Sequence, residues 1–145
     1  MLALTRLAKE LGNGAILISD IAQSENIPQR YLEAILLDLK KLGMLGSKLG
    51  KSGGYFLIRK PEEINLSQVV RHFEGPIALV SCVSKKAYQP CEFCRDELTC
   101  NLRKVFKDIR DYTYNRLQNT TLSNLINENY ILQELNVKSS GVDPQ

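Results

Sequence analysis

The chain has 145 residues, 43% of them apolar and 24% charged, and carries a net charge of +3. That is enough for one domain with a modest core, or one with an appended helical arm. No signal peptide or membrane span is legible, because Arg6 and Lys9 interrupt the first residues and the apolar run from Ile77 to Val83 is far too short to cross a bilayer. The chain is therefore expected in the cytoplasm, where thiols stay reduced.

Leu2, Leu4, Leu7, Ala8 and Leu11 predict a first helix that stops at Gly12-Asn13-Gly14. Ala15 to Ile18 is a short β-leaning segment. Ser19 is placed to cap a second helix over about Asp20 to Glu25, burying Ile21 and Ala22. Asn26-Ile27 makes a turn, and Pro28 suits the first position of a third helix running to Leu42. Tyr31, Leu32, Ile35, Leu36, Leu39 and Leu42 form its expected buried face, and Gly43 ends it. Helix, tight turn and longer helix is the helix-turn-helix plan.

Two extended stretches follow, Met44 to Leu49 and Tyr55 to Arg59, joined by Gly50-Lys51-Ser52-Gly53-Gly54 as a β-hairpin wing. The glycines specify a tight turn rather than a ligand. A fourth helix is expected near Leu66 to Phe73, leading to Gly75-Pro76. Beyond it lie all four cysteines, Cys82, Cys91, Cys94 and Cys100, spaced C-x8-C-x2-C-x5-C. Then Leu102, Val105, Phe106, Ile109, Tyr112, Thr113 and Leu117 recur at three- and four-residue steps. That helix is too long for so small a domain to bury alone, so its stripe is expected to meet a copy of itself. Thr120 or Thr121 caps a last short helix through Leu125 and Ile126. The tail from about Val137 reads as disordered.

Charge is unevenly spread. From Pro28 to Lys60 there are seven basic residues against Glu33 and Asp38, as a phosphate-facing surface needs. Gln29, Arg30 and Glu33 stand exposed at the start of the third helix, and these side-chain types suit adenine, guanine or phosphate, and the cytosine amino group. Lys48 and Lys51 flank the wing turn. The competing reading is a winged helix that binds protein, its charges merely solvated. No catalytic trio, phosphate loop or paired acid and base is present, so the chain is not read as an enzyme.

Cytosolic cysteines confined to one loop point to metal ligation or redox chemistry. Cys91 and Cys94 can chelate one metal from one turn, and Cys100 sits near a helix start, where the dipole lowers a thiol pKa. An iron–sulfur cluster, structural zinc and a metal-free thiol switch all remain open. His72, the only histidine, reads as an exposed helical residue rather than a ligand.

Tyr31-Leu32-Glu33, Gly50-x-x-Gly53-Gly54-Tyr55-x-Leu57, Glu74-Gly75-Pro76, Cys100-x-x-Arg103 and Thr120-Thr121-Leu122 together resemble the IscR/NsrR/CymR-type family of bacterial regulators, over residues 1 to about 128. The resemblance implies a homodimeric winged-helix transcription factor. Many such proteins hold an iron–sulfur cluster in the loop before the dimerisation helix, while others lack the cysteines and sense metabolites through partner proteins. Cluster-binding members usually show three cysteines. The last two match Cys94 and Cys100, and the first is Cys82 or Cys91. Arg103 stands where one branch has a histidine, and Leu49 stands where an arginine precedes the wing glycine. In another branch a carboxylate of the partner's first helix completes the cluster, and Met1 already falls inside that helix.

The expected protein is mainly α with a small β-hairpin. A winged helix-turn-helix domain is expected over 1–75 and a cysteine-rich loop over 76–100. A dimerisation helix with a short terminal helix covers 101–128, and a partly disordered tail 129–145. Its expected role is a homodimeric regulator binding double-stranded DNA at a pseudo-palindromic operator through Gln29, Arg30, Glu33, Lys48 and Lys51. Cys82, Cys91, Cys94 and Cys100 would hold a 2Fe–2S or 4Fe–4S cluster that reports cluster status, redox state or nitric oxide, with zinc or no metal as the alternative.

Overall fold

The computed structural model of the chain describes residues 1–50, 53–127 and 130. Lys51, Ser52 and, apart from Tyr130, the expected tail at 129–145 lie outside the described residues. The elements in chain order are α1 (Leu2–Lys9), α2 (Ile18–Ser24), α3 (Gln29–Lys41), β1 (Leu45–Lys48), β2 (Gly54–Leu57), α4 (Leu66–Phe73), α5 (Asn101–Asn119) and α6 (Leu122–Ile126). Short 3-10 turns occupy Pro61–Glu63 and Ser81–Val83. The fold is mainly helical with one antiparallel hairpin, as expected. Contacts divide it into two units, Met1–Ile64 with the segment from Thr121 onward, and Asn65–Thr120.

In the first unit, Ala3, Leu4, Leu7 and Ala8 share one side of α1 and are buried, against α6 and β2. Leu2 and Leu11 are exposed, so the apolar stripe is shorter than the leucine spacing suggested; Leu11 falls beyond the helix end. Two expected helix starts shift. Helix α2 begins at Ile18 with Leu17 as its N-cap, leaving Ser19 inside the first turn, 3.2 Å from the Asp20 carboxylate. Pro28 is the N-cap of α3 rather than its first residue. Between these helices Asn26 takes φ 52°, a left-handed position that asparagine tolerates. On α3, Leu32, Leu36 and Leu39 form the buried line. Tyr31 does not join it: it is 66% exposed, because it sits one residue, about 100° of helix, away from Leu32.

The hairpin pairs Leu45 with Leu57, Gly46 with Phe56, Ser47 with Tyr55 and Lys48 with Gly54. Instead of an extended run over Ala15 to Ile18, only Ile16 pairs, exchanging both backbone hydrogen bonds with Tyr55 at 2.9 and 2.8 Å. This bridge explains Gly54, whose φ is +136° and where a Cβ would stand 2.1 Å from the Ile16 carbonyl oxygen. Thr121, not Thr120, caps α6, in a reciprocal box with Asn124. The same helix is tied to the chain's own Ile64 carbonyl through the Leu122 N–H at 2.7 Å.

In the second unit, α4 has its expected bounds, and Asn65 caps it by accepting the Gln68 N–H at 3.1 Å. Helix α4 packs on α5, and the buried Ser67 hydroxyl bridges Asn65 and Gln118 at 2.7 and 2.6 Å. The Ser81–Val83 turn also packs on α5, burying Cys82 and Val83. Over its 19 residues, the one buried side chain of α5 is Arg110. No helix of the described residues is long and apolar enough to cross a membrane.

Candidate thiol site and nucleic-acid interface

Three local structures place the four thiols. The 3-10 turn holds Cys82 as a buried residue beside Val83. A turn closed by the Cys94 N–H on the Cys91 carbonyl, at 3.2 Å, brings that pair to one side of the loop. Cys100 is the N-cap of α5, its sulfur accepting the Arg103 N–H at 3.4 Å in the place a serine oxygen usually takes. All four cysteines line one cavity of about 330 Å³, together with Glu97, Arg103 and Phe106. Cys91 is exposed, Cys94 and Cys100 are half-buried, and Cys82 is buried.

The electrostatics separate two of the thiols. The Arg103 N–H, then a hydrogen bond from Cys94, hold the Cys100 pKa below the ordinary thiol value, and the Arg103 charge adds to this. Desolvation, then the hydrogen bond to Cys100, push Cys94 up. The Cys94 thiol itself bonds the Asp96 carbonyl at 3.3 Å, so of the two Cys100 is the one biased toward thiolate. The Asp96 carboxylate pins the intervening loop by accepting the Leu98 N–H at 3.1 Å and the Thr99 hydroxyl at 2.9 Å, bonds that keep its pKa low. Glu97 accepts the Tyr88 hydroxyl and lies 3.4 Å from the Arg103 guanidinium. Arg103 also keeps a buried Nε with no hydrogen-bond partner.

Four sulfurs on one cavity, one of them biased toward thiolate and a guanidinium beside them, suit a thiophilic metal or an iron–sulfur cluster. They are grouped but not converged: among the described residues no three His, Cys, Asp or Glu side chains sit at metal-holding distance. His72 is exposed on α4 and does not line this cavity.

In the first unit, Gln29, Arg30 and Glu33 are exposed at the start of α3, and Tyr31 stands exposed among them. Sequence reasoning missed Tyr31 as a surface residue, although its offset from the Leu32, Leu36 and Leu39 line was the signal. Lys48 ends β1 and is exposed, and Lys51 lies outside the described residues. Arg30 and Lys48 form no ion pair among the described residues, whereas Lys41 is 2.9 Å from Asp38 and Lys40 bonds Ser47 at 2.7 Å. The positive charge free for an outside partner is therefore narrower than the count of basic residues implies. Leu49, at the wing, is 97% exposed.

The Rrf2 family profile, described as an iron-dependent transcriptional regulator, matches residues 1–128. An rrf2-like HTH-type transcriptional regulator of Rhodobacter capsulatus is 47% identical over 95 residues, 66% of this chain; the match spans 63% of that relative's length. The HTH-type transcriptional regulator NsrR of Bacillus licheniformis is 31% identical over 126 residues, covering 86% of this chain and 85% of its own. Among solved structures, CymR, the global cysteine regulator of B. subtilis, superposes with a TM-score of 0.70 at 31% identity, over 85% of this chain and 86% of that one.

Proposed function

The chain belongs to the Rrf2 family of transcriptional regulators, and on that footing we propose that it is a homodimeric DNA-binding switch whose Cys82–Cys100 loop holds an iron–sulfur cluster. The observation that carries the proposal is the lining of one cavity by all four thiols at the N-terminus of α5. Cys82, Cys91, Cys94 and Cys100 would hold the cluster, which supplies sensitivity to cluster supply, redox state or nitric oxide.

The chain's own residues do the rest. Arg103 offsets the negative charge of the gathered thiolates. Cys100 caps α5 and would also be a ligand, so drawing its sulfur toward the other three would change the first turn of that helix. The apolar stripe of α5 faces a second copy. Gln29, Arg30 and Glu33 read base edges, and Lys48 and Lys51 meet phosphate. Two half-sites must be matched at about 34 Å or a multiple, so a small change in how two copies of α5 meet spoils the fit of one of them. A near-complete release needs about 5.5 kcal/mol of differential affinity.

A second reading has an observation of its own. Cys94 and Cys100 line the same cavity, with Cys100 held below the ordinary thiol value, which suits a metal-free switch in which a low-molecular-weight disulfide is reduced to two thiols as a Cys94–Cys100 disulfide forms.

Anaerobically prepared protein, titrated into labelled duplex DNA before and after nitric oxide treatment, tests the switch. Binding should weaken steeply with salt, each neutralised phosphate adding about 0.9 to the log–log slope, and should change on treatment. A flat salt response would remove the DNA reading. An unchanged affinity after nitric oxide, with a change on disulfide treatment, would favour the thiol switch.

A further inference from the structure

The second unit contains a larger cavity, of about 650 Å³, that is separate from the thiols and whose lining is basic. Arg71 of α4, Lys85 and Lys86 of the following loop, and Arg110 of α5 line it, and no Asp or Glu does. Lys85 Nζ stands 5.7 Å over the Tyr114 ring, and Pro76 and Ile77 add apolar wall. Arg71 and Lys86 form no ion pair among the described residues.

Arg110 is the informative member. It is 8% exposed, and its Nε and Nη1 are buried without a hydrogen-bond acceptor. The Asp111 carboxylate lies 3.1 Å from Nη1, but the guanidinium N–H groups are not aimed at it, and Asp111 is itself partly solvated. A desolvated cation with open donors is costly, and such groups are kept where something supplies the missing acceptors.

We propose that this cavity is a binding site for a small, doubly charged organic anion, a phosphate or carboxylate compound received by the Arg110 guanidinium. Its volume falls within the roughly 300–1,000 Å³ of small-molecule sites. The planar fork of arginine matches either anion in two-point fashion, and the tyrosine ring and apolar wall favour an organic ligand over a bare ion. Lys85 and Lys86 are exposed and Arg110 is buried, so the lining charge runs inward from the surface, unlike a DNA-backbone patch. Arg110 stands on the helix that Cys100 caps, so the ligand bears on the same helix as the thiols.

The test is calorimetric titration and thermal unfolding of the full chain at low ionic strength, with glycerol 3-phosphate and succinate as probes. Saturable binding near one per chain and a raised Tm are expected with at least one probe. Phosphate alone, or carboxylate alone, identifies the source of the ligand's charge. Arg110→Met should lower affinity at least tenfold while leaving the unliganded Tm unchanged or higher, since it removes an unsatisfied buried charge. A lower unliganded Tm would make Arg110 a structural residue and overturn the proposal. So would undiminished binding by that variant, or no saturable binding of either probe. If Arg110→Met does not fold, the double variant Arg71→Gln, Lys86→Gln decides by the same affinity comparison. Displacement of the probes by random duplex DNA, with a smaller salt slope for Arg71→Gln, would reassign the surface to the DNA backbone and overturn it as well.

Discussion

Helices α3 and α5 carry similar stripes of large apolar residues at three- and four-residue steps, and the chain treats them differently. On α3, Leu32, Leu36 and Leu39 are at most 2% exposed. On α5, Leu102, Val105, Ile109 and Tyr112 stand 66, 53, 42 and 69% exposed, and the one buried side chain is a charged arginine. The first stripe is satisfied within its own unit by α2 and β1. The second is half-buried at Phe106, Thr113 and Leu117 but open at Leu102, Val105, Ile109 and Tyr112 among the described residues, and an apolar face of that kind is what an association surface needs. Periodicity reports that a helix has an apolar face; it does not report whether the covering partner is the same chain or another.

The largest expected effect comes from charging the open stripe. Ile109→Glu should give monomers by light scattering and should weaken operator binding about 10³-fold or more, toward the non-specific level. An unchanged dimer would remove this face from the interface. Next, Leu36→Ala should cost about 2–5 kcal/mol in urea unfolding, because the cavity it leaves lies in a packed core. That cost should be the same at low and high protein concentration. The cost of Ile109→Ala should instead depend on concentration, as an intermolecular contact requires; equal behaviour of the two variants would erase the contrast between the helices.

The surface of α3 can be tested more finely. Glu33→Ala should relax discrimination at one base pair by about 1–3 kcal/mol and leave non-specific affinity as it was. Equal losses on all sequences would refute a readout role. The smallest effect concerns the cap of α5. Because Cys100 is held below the ordinary thiol value and Cys94 above it, alkylation of Cys100 should reach its plateau at lower pH than that of Cys94, followed residue by residue by mass spectrometry. Coincident profiles would show that the Arg103 N–H does not bias the pair.

Much of the fold was legible where the cause was local. The bounds of α4 follow from apolar residues in phase, to which the structure adds Asn65 as the cap, and the hairpin from glycines between two extended runs. The helix starts at Ile18 and Gln29 were missed by one or two residues, because Ser19 and Pro28 are each acceptable at neighbouring cap positions. Long-range causes left no such trace. The single bridge between Ile16 and Tyr55 dictates Gly54, and the packing of α6 on α1 joins residues more than a hundred apart. At the thiol site the four cysteines announced a site, and their common cavity follows from the Ser81–Val83 turn and the Cys100 cap. Glu97 and Tyr88, which anchor Arg103 and the loop, carried no motif. Arg110 sits in the sequence among Arg103, Lys104, Lys107 and Asp108, off the apolar stripe, and nothing local marks it as buried.

The most direct test of the thiol site is anaerobic purification followed by a visible absorption spectrum, with iron, sulfide and zinc assayed on the same sample. Brown protein with iron and sulfide in matched amounts is the predicted result, lost in Cys100→Ser. Colourless protein holding about one zinc per chain (a closed four-thiolate site would take one), or colourless metal-free protein that still binds DNA, would contradict the cluster and leave the loop structural or a thiol switch.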